Sequence, residues 1–187
     1  AADVACYSAK DGGRNRVELY DADRGRDRHR EMRWVAQITR AIEEGRLELV
    51  HQPIQPLRAE DRQPFHEIMV RMRGEHGELI PPDQFIPAAE RYNVMPAIDY
   101  WVLGAVVPYL RDLPDGAERP LLAVNVSGNS LSDQSFLERV LSLVDAAGVA
   151  GSLCFEITET AAVSHHDTAV HFMRELKARG CRFSLDD

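Results

Sequence analysis

Oxygen-bearing side chains follow several strand-like runs of this sequence, near the carboxyl end of each run. The last two residues, Asp186 and Asp187, come directly after the apolar run at 181–185. Comparable side chains on earlier runs are Glu67, Asn125, Glu156 and Glu159. Carboxylate and amide oxygens gathered from successive parallel strands are the ligands that a hard divalent cation prefers. The pattern predicts a site for Mg²⁺ or Mn²⁺ rather than Zn²⁺, because no histidine or cysteine has the spacing of a zinc site.

The adjacent aspartates add a second prediction, since two neighbouring carboxylates can each reach a different cation. A pair of cations about 3.5–4 Å apart activates water and stabilises a phosphoryl group under attack. Arg71 follows Glu67 closely in the sequence, and we expect it to leave the strand into the next loop and to clamp a phosphate oxygen. A surface salt bridge explains the position of Arg71 equally well. The implied reaction is the hydrolysis of a phosphate ester.

Hydrophobic periodicity predicts alternating strands and helices. The predicted strands are 47–50, 65–72, 121–126, 153–158 and 181–186, and the predicted helices are 31–44, 84–91, 98–110, 136–147 and 167–179. We expect Asp99 or a neighbour to cap the helix at 98–110, and Pro108 to kink or shorten it. The alternation indicates parallel βαβ units, in either a doubly wound sheet or a barrel. Polar residues at several strand ends favour an α/β fold of the (β/α)₈ TIM-like barrel type, of which about five strands are represented.

The composition is that of a globular protein. The chain has 187 residues, 44% of them hydrophobic, and a formal net charge of −8, which argues against nonspecific binding to duplex nucleic acid. Three cysteines without metal-site spacing indicate reduced thiols in a cytoplasmic protein, with Cys154 and Cys181 as core residues. No run is long and apolar enough to span a membrane, and no export signal is present, although a membrane anchor elsewhere in a longer parent chain stays open.

Six short motifs, in the same order, resemble those of the bacterial EAL-domain phosphodiesterases, which hydrolyse cyclic di-GMP to linear pGpG. The matching segments are 51–54 (HQPI, against YQPI), 67–71 (EIMVR, against EALLR), 85–90 (FIPAAE, against FIPxAE), 125–127 (NVS, against NxS), 156–159 (EITE, against E(I/V)TE) and 185–187 (LDD, against the start of DDFG). Residues 1–20 separately resemble the end of a GGDEF domain, without its signature loop. The expected organisation is therefore a GGDEF remnant at 1–20, a charged linker at 21–30 and an EAL domain at 31–187.

The resemblance implies roles for individual residues. The first cation would be bound by Glu67, Asn125, Glu156 and Asp186, and the second by Asp187. Glu159 would steady a loop over the active site, while Gln52 and Arg71 would contact cyclic di-GMP. A TIM-like barrel, a homodimer formed through the EAL domain and an upstream GGDEF or sensory domain are also implied. Ile68 and Met69 depart from the family's Ala and Leu, but both are apolar and neither is a proposed ligand, so the change concerns packing.

The family also supplies a lysine and a further glutamate from strands after DDFG, and these residues are not in the sequence. We therefore expect the 187-residue polypeptide by itself to hydrolyse little or no cyclic di-GMP, and the intact protein to contain the rest of the barrel. An open sheet with unpaired edges would otherwise invite pairing with another chain. The competing hypothesis is a degenerate EAL domain that senses cyclic di-GMP or binds a partner without hydrolysis. A purely structural barrel leaves the polar strand ends unexplained.

Overall fold

Six strands form one sheet, and their order determines which polar residues become neighbours. The computed structural model describes residues 22–57, 63–114 and 116–186, with side chains from residue 30 onward. The strands are β1 (Leu47–Ile54), β2 (Phe65–Arg73), β3 (Leu79–Ile80), β4 (Leu121–Asn125), β5 (Leu153–Thr158) and β6 (Arg182–Asp186). Their order across the sheet is β1-β2-β4-β5-β6, and β3 pairs with the end of β2.

Helices connect most of these strands. They are α1 (Ala22–Glu43), α2 (Pro82–Arg91), α3 (Met95–Arg111), α4 (Gly128–Leu131), α5 (Gln134–Ala147), α6 (Glu159–Ser164) and α7 (His166–Lys177). The helix α1 includes positions 22–30 of the predicted charged linker. Gly148 ends α5 in the left-handed conformation, with φ at 66°, as the sequence predicted.

The first strand differs from the prediction in its direction. β1 runs antiparallel to β2, whereas a parallel βαβ unit was expected. The segment between them, residues 55–64, is too short for the crossover that two parallel strands require. The antiparallel pairing of β1 with β2 places Gln52 directly opposite Glu67.

Three further strand pairs confirm the predicted parallel sheet, whereas the short strand β3 pairs antiparallel with β2. β2 pairs with β4, β4 with β5 and β5 with β6, all in parallel. The carboxyl ends of these strands consequently meet at one edge of the sheet. This arrangement is the framework on which Asn125, Glu156 and Asp186 are placed.

The helix α3 departs from the prediction at both ends. It begins at Met95, so Asp99 lies in its second turn and does not cap it. It also continues past Pro108 to Arg111, so the proline does not shorten the helix. The Asp112 N–H donates to the Pro108 carbonyl and closes the last turn.

The main hydrophobic core lies between one face of the sheet and the helices. Four phenylalanines pack together there through stacked and edge-to-face contacts, with contacting ring centroids 5.6–6.3 Å apart: Phe136, Phe155, Phe172 and Phe183. The opposite face of the sheet carries a smaller apolar cluster of Phe65, Leu121, Ala123 and Cys154. Both Cys154 and Cys181 are free and buried, as predicted.

No helix in the described part of the chain combines the length and the apolar character needed to cross a membrane. Two predictions fall outside the described residues: the GGDEF remnant at 1–20, and the side chain of Asp187.

Candidate active site

Asn125 and Glu156 form the centre of the candidate site. They are register partners on the parallel strands β4 and β5, whose backbones lie about 4.8 Å apart. The Val126 N–H donates to the Glu156 carbonyl at 2.9 Å and extends this pairing past the end of β4. The two side chains point to the face opposite the main core, because the buried Val124 and Phe155 before them point into it.

Glu67 joins this pair from β2, although it lies earlier in its strand than predicted. It is the third residue of β2, and its register partner is Ala123. Ala123 lies two residues before Asn125 in β4, on the same face of the sheet. The Asn125 amide still reaches it, since Nδ2 donates to Glu67 Oε1 at 3.2 Å. The prediction that Glu67 lies at a strand end was therefore wrong, but its association with Asn125 holds.

Asp186 lies on the far side of the site, at the end of β6. Its register partner is Thr158, which lies two residues after Glu156 in β5, on the same face of the sheet. The positions of Glu67, Glu156 and Asp186 thus step along the strands from β2 to β6. Such a stagger is expected where tilted strands curve into a barrel.

The three carboxylates share one electrostatic environment. The pKa of Glu156 is raised, first by its partial burial and then by the negative charges of Glu67 and Asp186. Like charges held close together disfavour the ionised form, and a bound cation would remove that penalty. The chemistry of this donor set, with oxygen atoms from three carboxylates and one amide, fits Mg²⁺ or Mn²⁺.

The side chains are not already closed around one point. Among the residues described, no three histidine, cysteine, aspartate or glutamate side chains lie close enough to hold an ion as they stand. The Asn125 amide turns its NH₂ group toward Glu67, and a rotation of the amide by half a turn presents its oxygen instead. An ion at this position would therefore require rotation of these side chains.

The two predicted nucleotide contacts lie on β1 and β2. Gln52 is exposed, and its register partner is Glu67. Arg71 was predicted to enter a loop, but it remains inside β2 and is half-buried. Its Nη1 donates to the Val70 carbonyl at 2.9 Å and its Nη2 contacts the Met69 sulfur at 3.9 Å. The guanidinium has five N–H donors, so these two contacts do not use all of them.

Glu159 follows the site along the chain. It is the exposed first residue of α6, next to the cap in which the Thr158 hydroxyl accepts from the Ala161 N–H at 3.2 Å. An open groove of about 690 Å³ adjoins this point. The groove is lined mainly by polar side chains, among them Glu90, Asn129, Ser132, Thr158 and His165, and its lining includes none of the candidate metal ligands of the described residues.

Sequence reasoning missed a buried polar network beneath Asn125. Asp99, only 4% exposed, accepts hydrogen bonds from Ser127 and Ser130. The signal was an acidic residue on the apolar stripe of α3, between the buried Met95 and Val102. The prediction that Asp99 caps the helix assumed a start near residue 98, whereas the helix begins at Met95.

Comparison with known proteins assigns a family. The model of the EAL domain matches residues 35–187 of this chain. Cyclic di-GMP phosphodiesterase PdeB of Shewanella oneidensis is 33% identical over 194 residues, which cover 100% of this chain and 22% of that protein. Cyclic di-GMP phosphodiesterase PdeF of Escherichia coli is 30% identical over 80% of this chain and 20% of its own length.

A solved structure supports the same assignment. The EAL domain of FimX from Pseudomonas aeruginosa, bound to c-di-GMP, superposes with a TM-score of 0.75 at 27% sequence identity. The match covers 82% of this chain and 61% of that one. The parallel sheet with its helices thus has the TIM-barrel-like architecture of EAL domains. The chain spans about a fifth of the length of the curated relatives it matches.

Proposed function

This chain belongs to the EAL domain family, and on that basis we propose that it forms part of a metal-dependent phosphodiesterase that hydrolyses cyclic di-GMP to linear pGpG. The observation that supports this proposal most strongly is the set of oxygen donors on four neighbouring strands. Asn125 and Glu156 are register partners, and Glu67 accepts a hydrogen bond from Asn125. Partial burial raises the pKa of Glu156, and the charges of Glu67 and Asp186 raise it further.

Each donor has a distinct part in this proposal. Glu67, Glu156 and Asp186 would neutralise the first cation, and Asn125 would add an oxygen without further negative charge. Asp187 would hold the second. Cations bound by these residues would polarise a phosphoryl oxygen as Lewis acids and would increase the acidity of bound water.

The remaining predicted residues would position the substrate. Gln52 is well placed to contact the dinucleotide, because it lies opposite Glu67 at the same end of the sheet. Arg71 would donate its remaining N–H groups to a phosphate, because a planar, charged guanidinium matches the geometry of phosphate oxygens. Glu159 would hold the segment after β5 over the site.

The proposal also covers partners and location. PdeB and PdeF, named as cyclic di-GMP phosphodiesterases, and the FimX EAL domain bound to c-di-GMP support the same ligand here. MucR of Pseudomonas aeruginosa, named as a bifunctional diguanylate cyclase and phosphodiesterase, matches all of this chain and supports an upstream GGDEF domain. A homodimer through the EAL domain and a cytoplasmic location are part of the proposal and rest on the family resemblance and the free thiols.

Hydrolysis tests this function directly. The intact protein is incubated with cyclic di-GMP and Mg²⁺ or Mn²⁺, and the linear product is separated by chromatography. We expect turnover that EDTA abolishes and that Glu156→Gln lowers at least a hundredfold. Glu138→Gln, an exposed charge-matched change on α5, should leave turnover unchanged. Equal turnover in the presence and absence of EDTA would contradict the proposal.

The second candidate is a binding module that senses cyclic di-GMP without hydrolysis. The FimX EAL domain, solved with c-di-GMP bound, supports binding of the nucleotide by this fold. Calorimetric titration distinguishes the two functions. An enzyme should bind the nucleotide more tightly with the metal, whereas a sensor should bind it equally well in EDTA and show no turnover.

A further inference from the structure

Asp99 is a buried carboxylate that the proposed reaction does not use directly. Its Oδ2 accepts three hydrogen bonds: from the Ser130 hydroxyl at 2.6 Å, from the Ser127 hydroxyl at 2.8 Å and from the Ser127 N–H at 3.0 Å. All three donors come from the turn between β4 and α4 and from the first residues of α4. One side chain of α3 thus binds the segment that follows Asn125.

This segment is short, and its backbone is held from two sides. On one side, the Val126 N–H donates to the Glu156 carbonyl at 2.9 Å. On the other, Ser127 is bound to Asp99 through both its backbone and its side chain. Val126, the residue between Asn125 and Ser127, is buried, so the segment is packed as well as hydrogen-bonded.

The serine hydroxyls also form the start of α4. The Ser127 hydroxyl caps this helix by accepting from the Ser130 N–H at 3.2 Å, and it lies 3.1 Å from the Ser130 hydroxyl. Because the hydroxyl donates to Asp99 and accepts from Ser130, its direction is determined. The network therefore defines the position of Ser127, whereas an apolar contact would restrict it only loosely.

A purely structural role explains the charge poorly. A buried carboxylate carries a desolvation cost, and an apolar side chain of similar size can often fill such a position with equal or better stability. What a carboxylate adds is directional acceptance of several N–H and O–H groups at one point. That property is useful where a backbone position must be exact to fractions of an ångström.

We propose that Asp99 is a positioning residue, which holds the β4–α4 turn through Ser127 so that Asn125 presents its amide to the cation. This inference rests on the proposed function, because it concerns the same metal site. Asp99 lies beneath the site and touches no reacting group. Its effect on the reaction is exerted through Asn125.

The first readout does not depend on activity. In metal-free protein labelled with ¹⁵N, Asp99→Ala should shift or broaden the side-chain amide signals of Asn125, and Asp99→Asn should do so less. Val144→Ala removes buried methyl groups from α5 and destabilises the fold without touching the network. It should leave the Asn125 signals in place. Unchanged Asn125 signals in Asp99→Ala would overturn the inference.

The second readout is functional. Changes to groups that orient metal ligands typically cost 10–100-fold in metal affinity or activity. Asp99→Ala should lower Mn²⁺ affinity and kcat about tenfold and keep KM for cyclic di-GMP within about twofold, with partial recovery in Asp99→Asn. Equal losses in Asp99→Ala and Val144→Ala would show a general stability effect and overturn the inference. If the native protein binds no Mn²⁺, the proposed function fails, while the Asn125 signals still decide the positioning role.

Discussion

At the scale of single residues, the candidate site combines attraction for a cation with mutual repulsion in its absence. Glu156 is half-buried beside Glu67 and Asp186, and its pKa is raised first by burial and then by these two charges. The metal-free site therefore lowers the stability of the fold, as is common for functional clusters of like charge. The cost and the function arise from the same carboxylates.

Glu156→Gln should reveal this opposition. In EDTA the variant should be as stable as the native protein or up to about 1 kcal/mol more stable, because one repelling charge is removed from a site partly screened by water. With saturating Mg²⁺ the order should reverse, since the native protein gains binding energy that the variant lacks. Urea unfolding in the two buffers measures both effects. A variant that is less stable in EDTA would contradict the repulsion.

Asp99 gives a pH dependence whose sign can be worked out. Burial raises its pKa from the ordinary 3.8 to about 6, against the opposing hydrogen bonds of Ser130 and Ser127, and the charge of Glu90 on α2 adds to the rise. The folded state binds the proton more tightly than the unfolded state, so stability is lost as the pH rises from about 4 to about 6. At about 1.36 kcal/mol per pH unit, the loss is at most about 3 kcal/mol.

The matched comparison is Asp99→Asn, which cannot titrate. Between pH 4 and pH 6, the unfolding free energy of the native protein should fall relative to that of the variant. Urea unfolding at a series of pH values provides the measurement. Parallel pH profiles for the two proteins would show that Asp99 has an ordinary pKa.

At the scale of helices and strands, local sequence signals were reliable where local physics dominates. Apolar runs identified β4, β5 and β6 to within a residue at each end, and Gly148 marked the end of α5. The direction of β1 was missed, because direction depends on the connection and not on the composition of the strand. The length of segment 55–64 was the available signal.

The positions of the candidate site residues in the sheet were predicted about as well as the strands themselves. Asn125 and Glu156 are paired as expected, because each lies at or near the end of a parallel strand. Glu67 is also in the site, but it is held by register with β4 and lies well before the end of its own strand. The conformation of Arg71 depends on tertiary neighbours, so no local pattern could define it. For Asp99 the apolar stripe of α3 indicated burial, but it could not identify Ser127 and Ser130 as partners.

Two glycines allow a test of local backbone effects with the same substitution. Gly148→Ala places a methyl group at a left-handed φ of 66° without any clash, so backbone strain should cost about 1 kcal/mol of stability. Gly104 lies inside α3, where an added methyl group also meets no clash. Gly104→Ala should therefore increase the free energy of unfolding by about 0.5–1 kcal/mol. Thermal unfolding of the two variants should shift in opposite directions. A shift in the same direction would contradict this assignment of the two backbones.

At the scale of the whole molecule, one face of the sheet packs against the main core and the other carries the candidate metal ligands. The large cluster packs the helices against the sheet, while the opposite face has few apolar residues below the carboxylates. The backbone that carries the four donors is thus supported from behind by well-packed side chains. This division lets the donors rotate toward a ligand while their strands stay in place.

The most direct test of the metal site is a titration of metal-free protein with Mn²⁺, followed by the electron paramagnetic resonance signal of the free ion. The native protein should remove Mn²⁺ from solution. Glu156→Gln and Asn125→Ala should each weaken binding at least tenfold, and the charge-matched Glu138→Gln should bind like the native protein. Equal binding by the native protein and Glu156→Gln would contradict a cation site formed by Glu67, Asn125, Glu156 and Asp186.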